Sequence, residues 1–248
     1  MKFVATVAAA ALLSGMASAA EIKVLSTQAT EQSYREIVPQ FEKATGHKVT
    51  TLFTGTLDAE KRLAAGEQYD LLIMAQDAID QHLKDGKLAK GSRVDLARSG
   101  VGVGVKAGAR KPDISSVDAL KRTLANAKSI GYSSGPSGVY IVKMFESLGV
   151  TDQVKPKLKQ TASGVFVGSI IASGEVEIGF QQVSELSQFE GVDYVGPLPA
   201  QVQNYTVFSS GILSNAKQAE AARALVRHIT SPQAGAVYRK RGMEPAGN

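Results

Sequence analysis

Short apolar runs alternate with longer amphipathic stretches along most of this chain. Asp70–Met74 is apolar throughout after its first residue, which is typical of a strand buried on both faces of a parallel sheet. The stretch that ends near Gly46 instead places Tyr34, Ile37 and Phe41 on one face at helical spacing. Strands that alternate with helices in this way predict βαβ units and therefore an α/β fold.

The same patterning predicts the remaining elements of the chain. Further strands are expected at Ile22–Ser26, Lys48–Phe53, Leu96–Lys106, Ser129–Tyr132, Val176–Phe180, Val192–Val195 and Val207–Leu213. Further helices are expected at Leu57–Ala65, Gln76–Asp85, Asp113–Leu124, Ile141–Gly149, Val165–Ala172 and Ala222–Ile229, with a last one that begins at Ser231 and Pro232.

One strand differs from the others in its composition. Leu96–Lys106 alternates valine with glycine after Ser99, and glycines permit bends and close approach of another backbone. We therefore expect this strand to cross from one α/β lobe into a second. The predicted division places residues 20–98 and 207–248 in the first lobe and residues 99–206 in the second.

The first 19 residues are predicted to be a signal peptide. Lys2 supplies a positive charge, and Val4–Leu13 is an apolar core too short to span a bilayer. The run from Ala17 to Ala19 is a cleavage motif of small residues. We expect cleavage after Ala19 and export of the mature chain to the periplasm.

Composition and charge exclude several kinds of site. The sequence has no cysteine, which removes disulfides, thiolate catalysis and cysteine-ligated metals. Its formal net charge is +5, but the basic residues are scattered and have few aromatic residues among them, which argues against binding of nucleic acid. The usual metal, nucleotide and dinucleotide motifs are missing, so we expect no metal and no cofactor. His47, His82 and His228 each stand alone, and we expect them at the surface.

Four predicted strand-to-helix turns share one chemistry, because each is small, hydroxylated and nearly free of charge. They are Ser26–Thr30, Thr54–Thr56, Ser133–Gly138 and Thr161–Gly164. In a parallel sheet such turns gather at the carboxyl ends of the strands, where the first turn of each following helix has unpaired N–H groups and partial positive charge. The turns therefore predict a site for a small anion, although Ser137 could equally be an ordinary helix cap.

Two other groups of residues are candidates for polar contacts with a ligand. Arg98 and Ser99 precede the crossing between the lobes, and a guanidinium binds a carboxylate with two hydrogen bonds. A solvated surface arginine is the alternative. Gln181 and Gln182 lie at the tip of a buried strand and offer two amides, which could instead satisfy the backbone of a loop.

Several motifs in a characteristic order resemble the type II periplasmic substrate-binding proteins, in the branch that includes molybdate-binding proteins. The similarity covers essentially all of Glu21–Gly242. It is carried by Ile22–Leu25, Phe41–Gly46, Arg62–Leu71, Pro136–Tyr140 and Ser231–Ala234. The resemblance implies two α/β lobes, each a mostly parallel sheet flanked by helices, that are joined by two crossing strands and close over an anion.

The resemblance also implies a set of ligand-binding residues, because molybdate binders hold the oxyanion with hydroxyls and backbone N–H groups at these turns. Ala29 stands where those proteins have a serine, and Gln182 stands where they have a tyrosine. Both departures favour an organic carboxylate over molybdate or tungstate. Together with the candidates above, the expected ligand-binding residues are Thr27, Thr30, Thr56, Arg98, Ser99, Ser137, Gly138, Gly164 and Gln182.

Two functions follow from the resemblance. The first is a monomeric binding protein that delivers a small anion, an organic di- or tricarboxylate rather than molybdate, to an inner-membrane ABC permease. The alternative is an aconitate isomerase on the same fold, which must transfer a proton between carbons of an unsaturated tricarboxylate. Glu31, Asp77, Tyr140 and Glu185 are able to transfer that proton, and the sequence does not choose among them.

Overall fold

The computed structural model describes residues 19–247, so the predicted signal peptide lies outside the described residues except for Ala19. Within this range the chain has the predicted two-lobed α/β fold, and its strands form one hydrogen-bonded network. No helix between residues 19 and 247 combines the length and apolar character that crossing a membrane requires.

The elements alternate between strand and helix over most of the chain. In order they are β1 (Glu21–Thr27), α1 (Glu31–Thr45), β2 (Lys48–Thr54), α2 (Thr56–Ala64), β3 (Leu71–Ala75), α3 (Gln76–Lys84), β4 (Val94–Lys106), α4 (Val117–Asn126), β5 (Ile130–Tyr132), α5 (Pro136–Ser147), α6 (Thr151–Val154), β6 (Leu158–Gln160), α7 (Val167–Ala172), β7 (Ile178–Gln182), α8 (Val183–Leu186), β8 (Val192–Pro197), β9 (Tyr205–Ile212), α9 (Ala219–Ile229), α10 (Pro232–Lys240) and β10 (Glu244–Pro245). Short 3-10 turns lie at Gln28–Thr30, Lys155–Lys157 and Ala200–Val202.

Each lobe is built on its own sheet. The first sheet has the order β2-β1-β3-β9-β4, in which β1 is parallel to β2 and β3 while β9 runs antiparallel to β3 and β4. The second sheet has the order β4-β7-β5-β6, in which β5 is parallel to β6 and β7. The carboxyl ends of β1, β2 and β5 therefore lead directly into the turns that precede helices.

Strand β4 joins the lobes because it belongs to both sheets. Its residues Val94–Gly100 pair with β9, whereas Val101–Lys106 pair with β7 and β8. The second connection runs from β8 through a 3-10 turn into β9. There the amide of the Gln203 side chain pairs with the main chain of Val101 as a neighbouring strand would. It accepts from the Val101 N–H at 2.8 Å and donates to the Val101 carbonyl at 3.0 Å. The exact lobe limits given above stay a prediction.

Separate apolar cores stabilise the two lobes. In the first lobe, Phe41 and Tyr238 are buried on one face of the sheet and Met74 on the other. In the second lobe, Phe145 and Phe180 meet edge to face with their ring centroids 6.2 Å apart. Burial of each such side chain stabilises the fold by about 1.5–3 kcal/mol. The lobes can therefore move relative to each other without disrupting either core.

Several local expectations differ from the structure: helix α5 begins at Pro136 rather than at Ile141, and α9 begins at Ala219 rather than at Ala222. Helix α4 begins after Ser116, whose hydroxyl caps it, rather than at Asp113. Helix α7 begins at Val167, two residues later than expected, because the preceding residues form a turn between the lobes. His82 is buried rather than at the surface, and its Nε2 lies 3.0 Å from Glu60.

Candidate functional site

A small cavity of about 40 Å³ lies between the two lobes. Its walls are made by the strand-to-helix turns that the sequence singles out. The first lobe contributes Thr27, Gln28, Ala29, Gly55, Thr56 and Phe208. The second contributes Ser133–Ser137, Ala162, Gly164, Val165, Gln181, Gln182 and Glu185. Five of the expected ligand-binding residues are among them, namely Thr27, Thr56, Ser137, Gly164 and Gln182.

Two helices begin at the cavity, one from each lobe. Helix α2 follows Gly55, and helix α5 follows Gly135 with Pro136 as its first residue. Neither N-cap residue, Gly55 or Gly135, has a side chain that could cap its helix, and at the start of α2 the Ser163 hydroxyl of the other lobe accepts from the Asp58 N–H at 3.4 Å. Thr56 and Ser137 belong to these first turns, where N–H groups have no intrahelical partner and carry partial positive charge. The arrangement favours a small anion held by both lobes at once.

The turn before α5 is held in place by its own serines. The Ser133 and Ser137 hydroxyls are hydrogen-bonded at 3.0 Å, and both side chains are buried. Gly138 is packed so closely that a Cβ there would overlap the Ser133 carbonyl oxygen. Ser137 is therefore not the helix cap. Its hydroxyl fixes the shape of the turn, and Gly138 allows the helix to approach that turn.

Among the described residues that line the cavity, Glu185 is the one ionisable side chain. Gln181 Nε2 donates to its Oε1 at 2.9 Å, and Gln181 is fixed in turn because its own Oε1 accepts from the Val167 N–H at 2.8 Å. Burial raises the pKa of Glu185 to about 8 against the opposing effect of hydrogen bonds from Gln181 and the Gln182 main chain. The nearby charge of Glu31 adds to the increase. At neutral pH most of the Glu185 carboxyl is therefore protonated.

Gln182 lines the cavity but uses its amide on the strands that join the lobes. In the orientation that satisfies its neighbours, the amide nitrogen donates to the Ser99 carbonyl at 2.9 Å and to the Gly100 carbonyl at 3.2 Å. The amide oxygen then accepts from Thr206 Oγ1 at 2.9 Å. Gln182 thus connects the cavity wall to both β4 and β9.

The lobes touch each other next to the cavity. Gln28 Nε2 donates to the Gly164 carbonyl at 3.0 Å, and the Asp58 N–H donates to the Ser163 hydroxyl at 3.4 Å. Gly55 faces the same turn, and a Cβ on it would overlap Ser163 Oγ and the Gly164 nitrogen. The structure therefore has its lobes closed, with the start of α2 pressed against the turn of the other lobe.

Arg98 lies away from the cavity, in contrast to the expectation that it would enter the cleft. Its side chain is 51% exposed and lies 2.6 Å from Glu244 of β10. Its guanidinium carbon lies 4.5 Å from the centroid of the Tyr205 ring. Arg98 therefore contacts β10 and the start of β9 rather than the cavity.

Three other expected ligand-binding residues lie behind the cavity wall. Thr30 is buried, and its hydroxyl donates to the Thr27 carbonyl at 3.1 Å. Ser99 is also buried, and its hydroxyl accepts from the Ser184 N–H at 3.3 Å. Gly138 packs against the turn before α5, as described above. These residues shape the turns and do not line the cavity.

The four candidate acid–base residues lie in different places. Glu185 lines the cavity, whereas Glu31 is paired with Arg35 at 2.7 Å. Asp77 and Tyr140 line a separate crevice. In the described part of the chain no cluster of three or more histidine, aspartate or glutamate side chains could hold a metal ion.

Sequence reasoning missed Gln28, Val165 and Phe208 as cavity residues. Gln28 lies in a turn that the sequence already singles out, so its amide could have been included. Phe208 lies within an apolar strand, and the periodicity of that strand does not distinguish a residue that reaches the cavity from one that stays in the core.

Comparisons with known proteins agree with the fold. The family model described as bacterial extracellular solute-binding protein matches residues 22–244. Aconitate isomerase of Pseudomonas sp is 36% identical over 230 residues, which cover 90% of this chain and 87% of that protein. The molybdate-binding protein ModA of Azotobacter vinelandii is 31% identical over 242 residues, which cover 94% of this chain and 93% of that protein.

A solved structure shows the same fold at lower sequence identity. The periplasmic molybdate-binding protein of Azotobacter vinelandii matches with a TM-score of 0.75 and 21% identity, over 90% of this chain and 98% of that one. The relative and the solved structure from Azotobacter vinelandii are both named as molybdate-binding proteins. The chain therefore belongs to the bacterial extracellular solute-binding proteins and has the type II periplasmic binding protein fold of the molybdate-binding branch.

Proposed function

We propose that this protein captures a small organic anion between its lobes and delivers it to an inner-membrane ABC permease. The observation that carries the proposal is the meeting of two helix first turns, at Thr56 and Ser137, in one cavity. Hydrogen bonds from N–H and hydroxyl groups to an ionised oxygen are about twice as strong as bonds between neutral groups. Because no basic side chain is among the described lining residues, release of the anion breaks no ion pair.

The other walls support an organic acid over a symmetrical oxyanion such as molybdate. Ala29, Val165 and Phe208 provide apolar surface that a carbon skeleton can contact, and an oxyanion gains little from such surface. The carboxyl of Glu185, whose pKa is raised, adds a hydrogen-bond donor to the cavity when it is protonated. An organic acid fits these walls if one of its carboxylates binds at the helix starts and its carbon atoms contact the apolar side chains.

The cavity volume limits what the closed arrangement can hold. About 40 Å³ is room for roughly three water-sized groups, which one carboxylate nearly fills. A di- or tricarboxylate therefore requires the side chains that line the cavity to move outward, while α2 stays against the turn at Ser163. The contact between Gln28 and Gly164 is the one we expect such a ligand to break.

Thermal unfolding with a panel of anions tests the proposal. The panel contains cis- and trans-aconitate, propane-1,2,3-tricarboxylate, succinate, molybdate and tungstate. A ligand at a hundred times its Kd should stabilise the protein by about 2.7 kcal/mol. Thr56→Ala should weaken binding about tenfold through the lost hydroxyl, whereas Ser173→Ala on the surface should not.

The outcomes separate the parts of the proposal. Stabilisation by none of these anions contradicts capture of a small anion. Stabilisation by molybdate or tungstate alone contradicts the organic substrate but keeps the binding function.

A second candidate function is aconitate isomerisation, and Glu185 is the observation that favours it. Proton transfer between carbons needs an acid–base group whose pKa lies near the working pH. Glu185 is in the cavity, and its pKa is raised to about 8. The relative from Pseudomonas sp that is named aconitate isomerase is 36% identical to this chain.

Ultraviolet absorbance of cis- and trans-aconitate incubated with the purified protein distinguishes the two functions. Conversion that is lost in Glu185→Gln, while the variant still binds propane-1,2,3-tricarboxylate, supports the isomerase. Tight binding of aconitate without conversion supports transport alone.

A further inference from the structure

We propose that Glu185 is a ligand-binding residue. When the anion is bound, the Glu185 carboxyl is protonated and donates a hydrogen bond to an oxygen of the anion. Capture is then coupled to a proton, because a protein molecule in which Glu185 is ionised must take one up before it binds. This inference rests on the proposed function, and it names the chemistry of the ligand group next to Glu185 as an oxygen that accepts a hydrogen bond.

The first support is that no acceptor is among the groups hydrogen-bonded to the Glu185 carboxyl; these groups are donors, which lower its pKa against the effect of burial. Gln181 presents an N–H to the carboxyl at 2.9 Å, and the Gln182 main chain also donates to it. The carbonyl oxygen of the Gln181 amide already accepts from the Val167 N–H. An acidic proton on Glu185 therefore has no acceptor among these neighbours, and an anion in the cavity supplies one.

The second support is the absence of compensating charge. Among the described lining residues none is basic, so an ionised Glu185 would face a bound anion across a small cavity with nothing to offset the repulsion. A neutral acid removes the repulsion and adds a donor. Binding is therefore selective for the protonated form of the site.

The surroundings of α8 do not supply a cation to Glu185. The elements packed against α8 are β4, β7, β8, α7 and the 3-10 turn at Gln28–Thr30. Their titratable residues are Asp95, Arg98 and Lys106 of β4 and Asp193 and Tyr194 of β8. Arg98 is paired with Glu244, and the Lys106 amino group lies beside Gly174. Beside that turn, Glu31 is held by Arg35, and beyond α10 Arg241 is held by Glu36 at 2.6 Å.

The expected size of the coupling follows from linkage. Since the pKa of Glu185 in the protein without ligand is about 8, the affinity for the anion should fall roughly tenfold between pH 7 and pH 9. Uptake should be close to one proton per anion at pH 9 and about a tenth of a proton at pH 7.

Isothermal titration calorimetry in buffers of different ionisation enthalpy measures both quantities. The probe is propane-1,2,3-tricarboxylate, which has no double bond to move, with molybdate run in parallel. Glu185→Gln keeps an N–H donor, so at pH 7 it should bind within about threefold of the wild type. It should lose the pH dependence and the proton uptake. Glu190→Gln removes a charge from an exposed position and should retain both.

Several results would overturn the inference. The inference is wrong if the affinity of Glu185→Gln has the same pH dependence as that of the wild type. It is also wrong if Glu185→Gln, shown by circular dichroism to be folded, does not bind at pH 7. Both leave the proposed function intact, because the wild type still binds. If the wild type binds neither probe, the proposed function is contradicted instead. In that case a carbon-13 NMR titration of the free protein still decides, since a Glu185 pKa near 4.5 overturns the inference.

Discussion

At the scale of single residues, two carboxyl groups of this chain have opposite surroundings. Asp70 accepts main-chain N–H groups from Lys23 and Gln218, each at 2.9 Å, and so ties β1 to the start of α9. Glu185 lines the cavity and receives hydrogen bonds from the Gln181 side chain and the Gln182 main chain. Charged groups that accept several hydrogen bonds stabilise a fold, whereas a carboxyl raised in pKa at a cavity is a candidate for function.

The free energy of unfolding of the protein should depend on pH through the titration of Glu185. Its pKa rises from 4.5 in the unfolded chain to about 8 in the folded one, so between these values the folded state binds more protons. The free energy of unfolding should therefore fall as the pH rises from about 4.5 to about 8. Glu185→Gln should remove at least about 1.4 kcal/mol of that decrease, the equivalent of one pKa unit.

Urea unfolding of wild type and Glu185→Gln at pH 5 and pH 8 measures this difference. Glu190→Gln is the control, because its side chain is exposed. A constant difference between Glu185→Gln and the wild type at the two pH values would contradict a raised pKa for Glu185.

At the scale of elements, the sequence could predict what depends on local chemistry. The turns at Thr54–Thr56 and Ser133–Gly138 reach the cavity because small hydroxylated residues before a helix determine the local backbone. Arg98 could not be placed in this way. Its partner Glu244 is 146 residues away in the sequence and belongs to a two-residue strand that no periodicity indicates. Phe208 reaches the cavity only through the packing of β9.

The first turn of α5 should depend on Gly138. A Cβ in Gly138→Ala would overlap the Ser133 carbonyl oxygen, and a backbone atom cannot rotate away as a side chain can. We expect the free energy of unfolding to fall by about 1–3 kcal/mol, with weaker anion binding because the turn must move. Chemical denaturation and calorimetry measure the two effects.

Gly235→Ala in α10 is the matched control, because it also places a Cβ on a helical glycine. That Cβ would lie 3.5 Å from Pro245, an ordinary contact. If both variants lose the same stability, the close packing of Gly138 against Ser133 has no energetic weight.

At the scale of the whole molecule, closure of the lobes rests on few contacts. Next to the cavity the described chain has the hydrogen bonds from Gln28 to Gly164 and from Asp58 to Ser163. A typical hydrogen bond contributes about 0.5–1.5 kcal/mol net, so the closed form is only slightly favoured by them. A ligand that contacts both lobes can therefore shift the equilibrium between open and closed forms.

Gly55→Ala should block closure without harming either lobe. Gly55 has φ −74° and ψ 157°, which alanine adopts freely, but its Cβ would overlap Ser163 Oγ and the Gly164 nitrogen of the other lobe. We expect a free energy of unfolding within about 0.5 kcal/mol of the wild type, since the overlap arises only on closure.

Small-angle X-ray scattering of Gly55→Ala should show a radius of gyration that no longer decreases when an anion is added. Affinity should fall at least about tenfold, because the closed form that binds is less populated. Gly235→Ala should close and bind as the wild type does. A Gly55→Ala protein that closes normally would show that α2 and the turn at Ser163 do not meet in the bound state, and capture by both helix starts would then have to be abandoned.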